Sequence, residues 1–190
     1  SDNTYTILQK WGKKDNRIIP IRNKRNLGLA RTLNHCLKYV KGEYVARMDD
    51  DDWSYPERFQ KQLEFLEANL EYDFVSSAIY IFDGERITSK QEVKNVKPEK
   101  KDFLWNSPFV HPATMFRTES IKRVNGYRYA KETRRAEDLD LFMRMYATGM
   151  KGYNLSEALL KYYVNPIAMK KRKYKYRIDL RFVAAYGRSS

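Results

Sequence analysis

Asp49, Asp50, Asp51 and Asp52 follow directly on a strand-like run, Glu43-Tyr-Val-Ala-Arg-Met48, in a chain whose net charge is +13. Like charges ~4 Å apart repel by about 1 kcal/mol per pair even in water, and by more in a cleft. Such a cluster at a strand end is explained by a divalent metal, a cationic partner or a solvated loop. Magnesium and manganese take hard oxygen ligands, commonly one or two carboxylates completed by water and phosphate. Alternate residues such as Asp49 and Asp51 can meet one ligand while Asp50 points away. Asp52 adjoins a predicted helix start, where a negative charge is favoured by the helix dipole alone. Calcium sites also use carboxylates, but the glycine-containing spacing of a calcium loop is absent.

A second constellation is Ala136-Glu-Asp-Leu-Asp-Leu-Phe-Met-Arg144. On a helix, Asp138 shares a face with Leu141, Phe142 and Met145, and desolvation there would raise its pKa toward that of a general base. Asp140 and Arg144, four apart, are spaced to pair structurally. The plain alternative for Glu137 and Asp138 is an acidic helix start. A third is Phe109-Val-His-Pro-Ala-Thr-Met-Phe-Arg117, where His111 reads as a hydrogen-bonded loop residue beside a strand of small residues able to line a pocket.

The elements that must carry these residues alternate. Residues 4–11 read as the end of a helix, 17–22 as a short strand, and 28–40 as a helix with the stripe Leu29, Leu33, Cys36, Leu37 and Val40. His35 falls off that stripe and is expected to be exposed. After strand 43–48, Ser54-Tyr-Pro-Glu57 has the form of a capping box opening a helix to about Glu71, with the stripe Phe59, Leu63, Leu66 and Leu70. Residues 73–82 read as a buried strand, Asp83-Gly84 as a hairpin turn and 86–93 as its partner. Residues 94–101 are polar and charged and are expected to form a mobile loop. A strand at 114–116 precedes helices at 118–124 and 136–148, stopped by Asn125-Gly126 and Gly149. This alternation predicts an α/β layered fold with a mostly parallel central sheet, in which ligands bind beyond the carboxyl ends of strands.

At 190 residues the chain is expected to hold one domain with a true core, its hydrophobic content being 42%. No apolar run approaches the ~18 residues of a membrane span. The single cysteine, Cys36, excludes an internal disulfide and suits a reducing cytoplasm. Residues 170–190 hold eight basic residues against Asp179 alone, so seven of the thirteen net charges lie there, interleaved with Tyr174, Tyr176 and Phe182. That basic aromatic tail suits an anionic membrane surface, a nucleic acid or a solvated helix.

Taken in order, these segments resemble the family 2 glycosyltransferases, whose fold is the GT-A nucleotide-sugar-binding fold. The resemblance is carried by Asn26-Leu-Gly-Leu-Ala30 with Asn34, by residues 42–58 around the four aspartates, by His111-Pro-Ala-Thr-Met-Phe-Arg117, by Gly126-Tyr127 and by Glu137-Asp-Leu-Asp-Leu-Phe-Met-Arg144, across residues 1–165. It implies that Asp49 and Asp51 form the Asp-x-Asp pair, with Asp49 approaching the ribose or sugar, Asp51 holding the metal on the diphosphate, and both in reach of Mg²⁺ or Mn²⁺. It implies that Asp52 lies near the donor sugar, that Asn26, Gly28 and Asn34 approach the nucleotide, and that His111 and Glu137 line the sugar or acceptor pocket. Asp138 would be the catalytic base. A metal-neutralised diphosphate leaving group needs no general acid, and a single base with a single displacement inverts the anomeric centre.

The family normally opens with a strand, a helix and a second strand ending in Asp-Asp-Gly-Ser-x-Asp-x-Thr. Ser1-Asp2-Asn3-Thr4 resembles only the tail of that motif, so the GT-A domain over 1–165 is expected to be N-terminally incomplete, followed by the tail at 166–190. The expected partners are a nucleotide-sugar donor, UDP-linked by preference, and a saccharide or lipid-linked acceptor in cell-surface polysaccharide synthesis. The expected location is cytoplasmic, peripheral on the inner face of the membrane through 170–190. Two rivals stand beside this reading: a basic nucleic-acid-binding module, which the carboxylate cluster would repel from phosphate, and a catalytically silent fragment. No nucleic acid is expected as a partner.

Overall fold

The structure is a computed structural model that describes residues 3–104 and 106–165. The expected basic tail at 170–190 lies outside the described residues. The chain divides into two compact units, Ser1–Val40 and Lys41–Ser190.

In the first unit, α1 (Thr4–Lys14) and α2 (Leu29–Leu37) flank an irregular connection. The strand expected at 17–22 forms no ladder, because no described strand pairs with it. Gly12 lets Pro20 lie on α1, since a Cβ at Gly12 would stand 2.8 Å from the Pro20 ring. Helix α2 is shorter than the expected 28–40, and of its residues only Ala30 is buried. His35 is not the exposed residue expected: it is half-buried, with Nδ1 2.8 Å from Asn23 Oδ1.

Among the described residues, the second unit is built on a six-stranded sheet. Its strands are β1 (Tyr44–Ala46), β2 (Trp53–Ser54), β3 (Phe74–Phe82), β4 (Ile87–Gln91), β5 (Met115–Arg117) and β6 (Gly152–Tyr163). The order is β1-β5-β3-β6-β2, with β4 also on β3. The sheet is mixed. Its longest ladder, β3 on β6, is parallel, and the flanking pairings are antiparallel. Strand β6 is not legible from alternation: the register jumps from Ser77↔Leu155 to Ala78↔Ala158 and then Ile79↔Leu160, and these irregularities break the period of two.

Helix α3 (Arg58–Ala68) starts later than the capping box predicts. Ser54 is held in β2 opposite Leu160, so Glu57 occupies the cap position without a side-chain cap bond. The buried face also differs from the expected stripe. Phe59 and Leu70 are 51% and 78% exposed, while Arg58, Gln62 and Leu66 are fully buried. Leu66 packs with Tyr72, Val75 and Met115.

Helices α4 (Thr118–Arg123) and α5 (Glu137–Ala147) end as expected. Gly126 N–H donates to Ile121 O at 2.9 Å with Asn125 and Gly126 at φ 58° and 64°, a left-handed helix stop. Residues 94–101, expected to be mobile, are pinned. The Asn154 backbone N–H donates to Val96 O, its side-chain amide donates to Asn95 O and Pro108 O, and Tyr146 Oη donates to Pro98 O.

On one side of the sheet Phe74 meets Phe109, Phe116, Phe142 and Tyr146, with ring centroids 4.8–6.3 Å apart. Gly152 closes this cluster: an added Cβ would overlap the Phe74 ring and stand 2.6 Å from Phe109 Cζ. Gly152→Ala is therefore expected to destabilise the chain by roughly 1–3 kcal/mol, because overpacked buried rings cannot retreat. Chemical denaturation checks this as a lower midpoint at unchanged slope.

Candidate functional site

The four aspartates form a turn rather than an extended run, closed by Asp52 N–H on Asp49 O at 3.4 Å. The turn brings one carboxylate oxygen each from Asp49, Asp51 and Asp52 within 4.8 Å of one another. Asp50 stays exposed outside this group. Asp52 is buried: Oδ1 accepts the Tyr163 N–H at 2.9 Å, and Oδ2 has no hydrogen-bond partner. Burial pushes the Asp52 carboxyl up to about 6, opposed by the Tyr163 hydrogen bond and reinforced by the charges of Asp49 and Asp51. An all-oxygen cluster with a buried, unpartnered acceptor fits a hard divalent cation.

Arg47, two residues before the turn, is buried and pairs through Nη2 with Asp49 Oδ1. Its backbone N–H continues the β1–β5 ladder onto Thr114 O at 2.9 Å. Beneath it lies Arg58, whose Nη2 donates to Arg47 O at 2.7 Å and whose Nε donates to Gln62 Oε1 at 3.1 Å. Gln62 Nε2 in turn donates to Ala113 O at 2.7 Å. Burial lowers the Arg58 pKa to about 10, with the Asp52 charge opposing it.

His111 opens a 3-10 turn, His111–Ala113, and is buried with Nε2 2.7 Å from Tyr127 Oη. Burial, then the Arg47 charge, hold its pKa well below the usual histidine range, so it is neutral at physiological pH. Burial raises the Tyr127 hydroxyl; Arg47 opposes this, and Asp138 and Asp49 add to it. Asp138 sits half-buried in the first turn of α5, above the fully buried Leu141, Phe142 and Met145 that share its face. Burial raises its pKa, the Leu139 and Asp138 N–H groups lower it, Glu137 raises it and Arg47 lowers it. Asp140 pairs with Arg144 at 2.7 Å as expected, and also with Arg128 at 2.8 Å. Arg144 donates to Val124 O and Gly126 O, which ties α5 to the turn before Tyr127.

The model for glycosyl transferase family 2 matches residues 1–124. This chain belongs to glycosyl transferase family 2. EpsE of Bacillus subtilis (strain 168), whose name places it among glycosyltransferases, is 38% identical over 94% of this chain and 64% of its own. The Escherichia coli UDP-Gal:alpha-D-GlcNAc-diphosphoundecaprenol beta-1,3-galactosyltransferase is 30% identical over 82% of this chain and 56% of its own. The family 2 chain thus spans less than two thirds of these relatives. Staphylococcus aureus TarS in complex with UDP-GlcNAc shares the fold at TM-score 0.68 and 20% identity, covering 87% of this chain and 47% of that one. The Pyrobaculum calidifontis mannosyltransferase PcManGT, in complex with GDP-Man and Mn²⁺, does so at 0.62 and 18%, covering 92% and 46%. The fold is therefore GT-A.

Within this family 2 chain, the second unit gathers Asp49, Asp51 and Asp52 into one cluster. Its Arg47 charge reaches Asp52, His111, Tyr127 and Asp138. Asn26, Gly28 and Asn34 belong to the first unit. There Asn26 Oδ1 accepts the Gly28 N–H at 2.9 Å, and Gly28, at φ 78°, opens α2. Sequence reasoning did not single out Arg47, Arg58 or Gln62 as site residues. The available signal was the four-residue spacing of Arg58 and Gln62 on a helix whose apolar stripe they interrupt.

Proposed function

We propose that the chain transfers a sugar, with inversion, from a nucleotide-sugar donor (UDP-linked) to a saccharide or lipid-linked acceptor in cell-surface polysaccharide synthesis. The observation that carries this is the convergence of three carboxylates on one turn, near a guanidinium whose charge also reaches the half-buried Asp138. The name of the Escherichia coli relative, with its UDP-Gal donor and diphosphoundecaprenol acceptor, supports the donor and acceptor classes.

When bound at this carboxylate turn, with Asp51 as a ligand, Mg²⁺ or Mn²⁺ would neutralise the charge of the diphosphate leaving group. Asp138 takes the proton from the attacking acceptor hydroxyl, its raised pKa making it a stronger base than a solvated carboxylate. Glu137, beside it, raises that pKa further and would line the acceptor side. Neutral His111, fixed by Tyr127, offers a shaped wall without competing for the proton. Asp52 lies near the donor sugar. For Asn26, Gly28 and Asn34 as nucleotide contacts, the support is the sequence motif alone.

Among the described residues no helix is long and apolar enough to cross a membrane. Contact with an anionic inner-membrane surface would fall to the basic residues of 170–190.

The test is sugar transfer by the whole protein with Mn²⁺. Asp51→Ala is expected to cut kcat/KM by about 10²-fold or more and to remove the rise in Tm that UDP with Mn²⁺ gives the wild type. Wild-type turnover in Asp51→Ala would overturn the assignment, and a wild type that transfers no sugar would favour the silent-fragment reading.

A further inference from the structure

The carboxylate turn is held from inside by a cation of the protein's own. The Arg47 side chain is 7% exposed, and among the described residues its ion pair is with Asp49. Its Nε and Nη1 have no hydrogen-bond partner. The backbone of Arg47 is committed on both sides, its N–H to Thr114 O and its carbonyl to Arg58 Nη2. Arg58 is itself fully buried and tied through Gln62 to Ala113 O, so the segment bearing Arg47 is fastened to residues 113–114 at two points. With its backbone fixed and its side chain buried, the guanidinium is held against Asp49.

We propose that Arg47 is a positioning residue: it keeps Asp49 as a hydrogen-bonded carboxylate and leaves Asp51 and Asp52 to take the divalent cation. This rests on the metal-assisted reading of the site given above. Drawing Asp49 Oδ1 into a metal shell would strip a buried guanidinium of its counter-ion, which is strongly unfavourable. It would also set a doubly charged ion against that guanidinium at short range. Asp52 is in the opposite condition. Its Oδ2 is a buried acceptor with no donor, so a cation there satisfies an orphaned group.

The experiment is a titration of the full chain with Mn²⁺ alone, reading free Mn²⁺ by electron paramagnetic resonance. Asp51→Asn and Asp52→Asn should each weaken Mn²⁺ binding by about tenfold or more, and Asp49→Asn by less than about threefold. Arg47→Met should bind Mn²⁺ at least about threefold more tightly, because it releases Asp49 and removes a repelling charge. Sugar transfer by Arg47→Met should nonetheless fall. A merely structural Arg47 would move both readings downward together.

If Asp49→Asn weakens Mn²⁺ as much as Asp51→Asn does, or if Arg47→Met weakens it, the inference is overturned; so too if the wild type binds no Mn²⁺. Should Arg47→Met fail to fold, the three asparagine variants decide the matter, since each keeps Arg47. The ranking is read without donor or acceptor. A chain that ranks as expected yet transfers no sugar would therefore overturn the proposed function and leave this inference standing.

Discussion

Asp138→Asn is expected to lose about 10²–10⁴-fold in sugar transfer, the usual contribution of a positioned general base, while melting no lower than the wild type at pH 7. The asparagine keeps the shape of the side chain but cannot accept the acceptor's proton. The stability arm follows from linkage. Burial raises the folded-state pKa of Asp138 above its ordinary 3.8. Between those two values the folded chain holds more protons than the unfolded one, so stability falls as pH rises through that window and stays reduced above it. Asparagine removes this penalty. The Tm advantage of the variant should therefore be present at neutral pH and vanish below about pH 4. The wild-type kcat/KM should fall as pH drops through the same raised pKa, because a protonated Asp138 is no base. Calorimetry at several pH values and a pH–rate profile measure the two arms; a variant that retains turnover would remove Asp138 from its role.

Phe74→Ala is expected to cost about 3–5 kcal/mol, among the larger effects of a single truncation. Phe74 is fully buried in β3 and its ring contacts Phe109, Phe116, Phe142 and Tyr146, so no single neighbour can collapse into the space it leaves. For a chain of this size that corresponds to a fall in Tm of roughly 6–20 °C. The effect should reach the site, since Phe142 lies between Phe74 and His111, with ring centroids 5.1 and 6.1 Å away. Thermal unfolding followed by near-ultraviolet circular dichroism checks it, and a drop under about 1 kcal/mol would mean the cluster repacks.

Much of the site was legible because its signals are local. The aspartates are consecutive and follow a strand; Asp138 shares a helical face with Leu141, Phe142 and Met145; and Asn125-Gly126 and Gly149 stop their helices where expected. Each needs only the geometry of one element. The expected capping box at Ser54 failed for a non-local reason, since pairing with Leu160 holds that residue in a strand. Residues 94–101 looked mobile from their charge, but Asn154 and Tyr146, some fifty residues on, supply the hydrogen bonds that pin them.

The family, the order of the motifs and the identity of the carboxylates can be read from residue type and spacing, which carry that information within one turn or strand. It takes the folded chain to reveal that β6 runs parallel beside β3 through two register shifts, that Arg58 and Gln62 are core residues, and that Arg47 is the counter-ion of Asp49. A buried guanidinium or amide is tolerated only where hydrogen-bond partners meet it. For Gln62 that partner, Ala113 O, lies 51 residues away, beyond the reach of any local pattern.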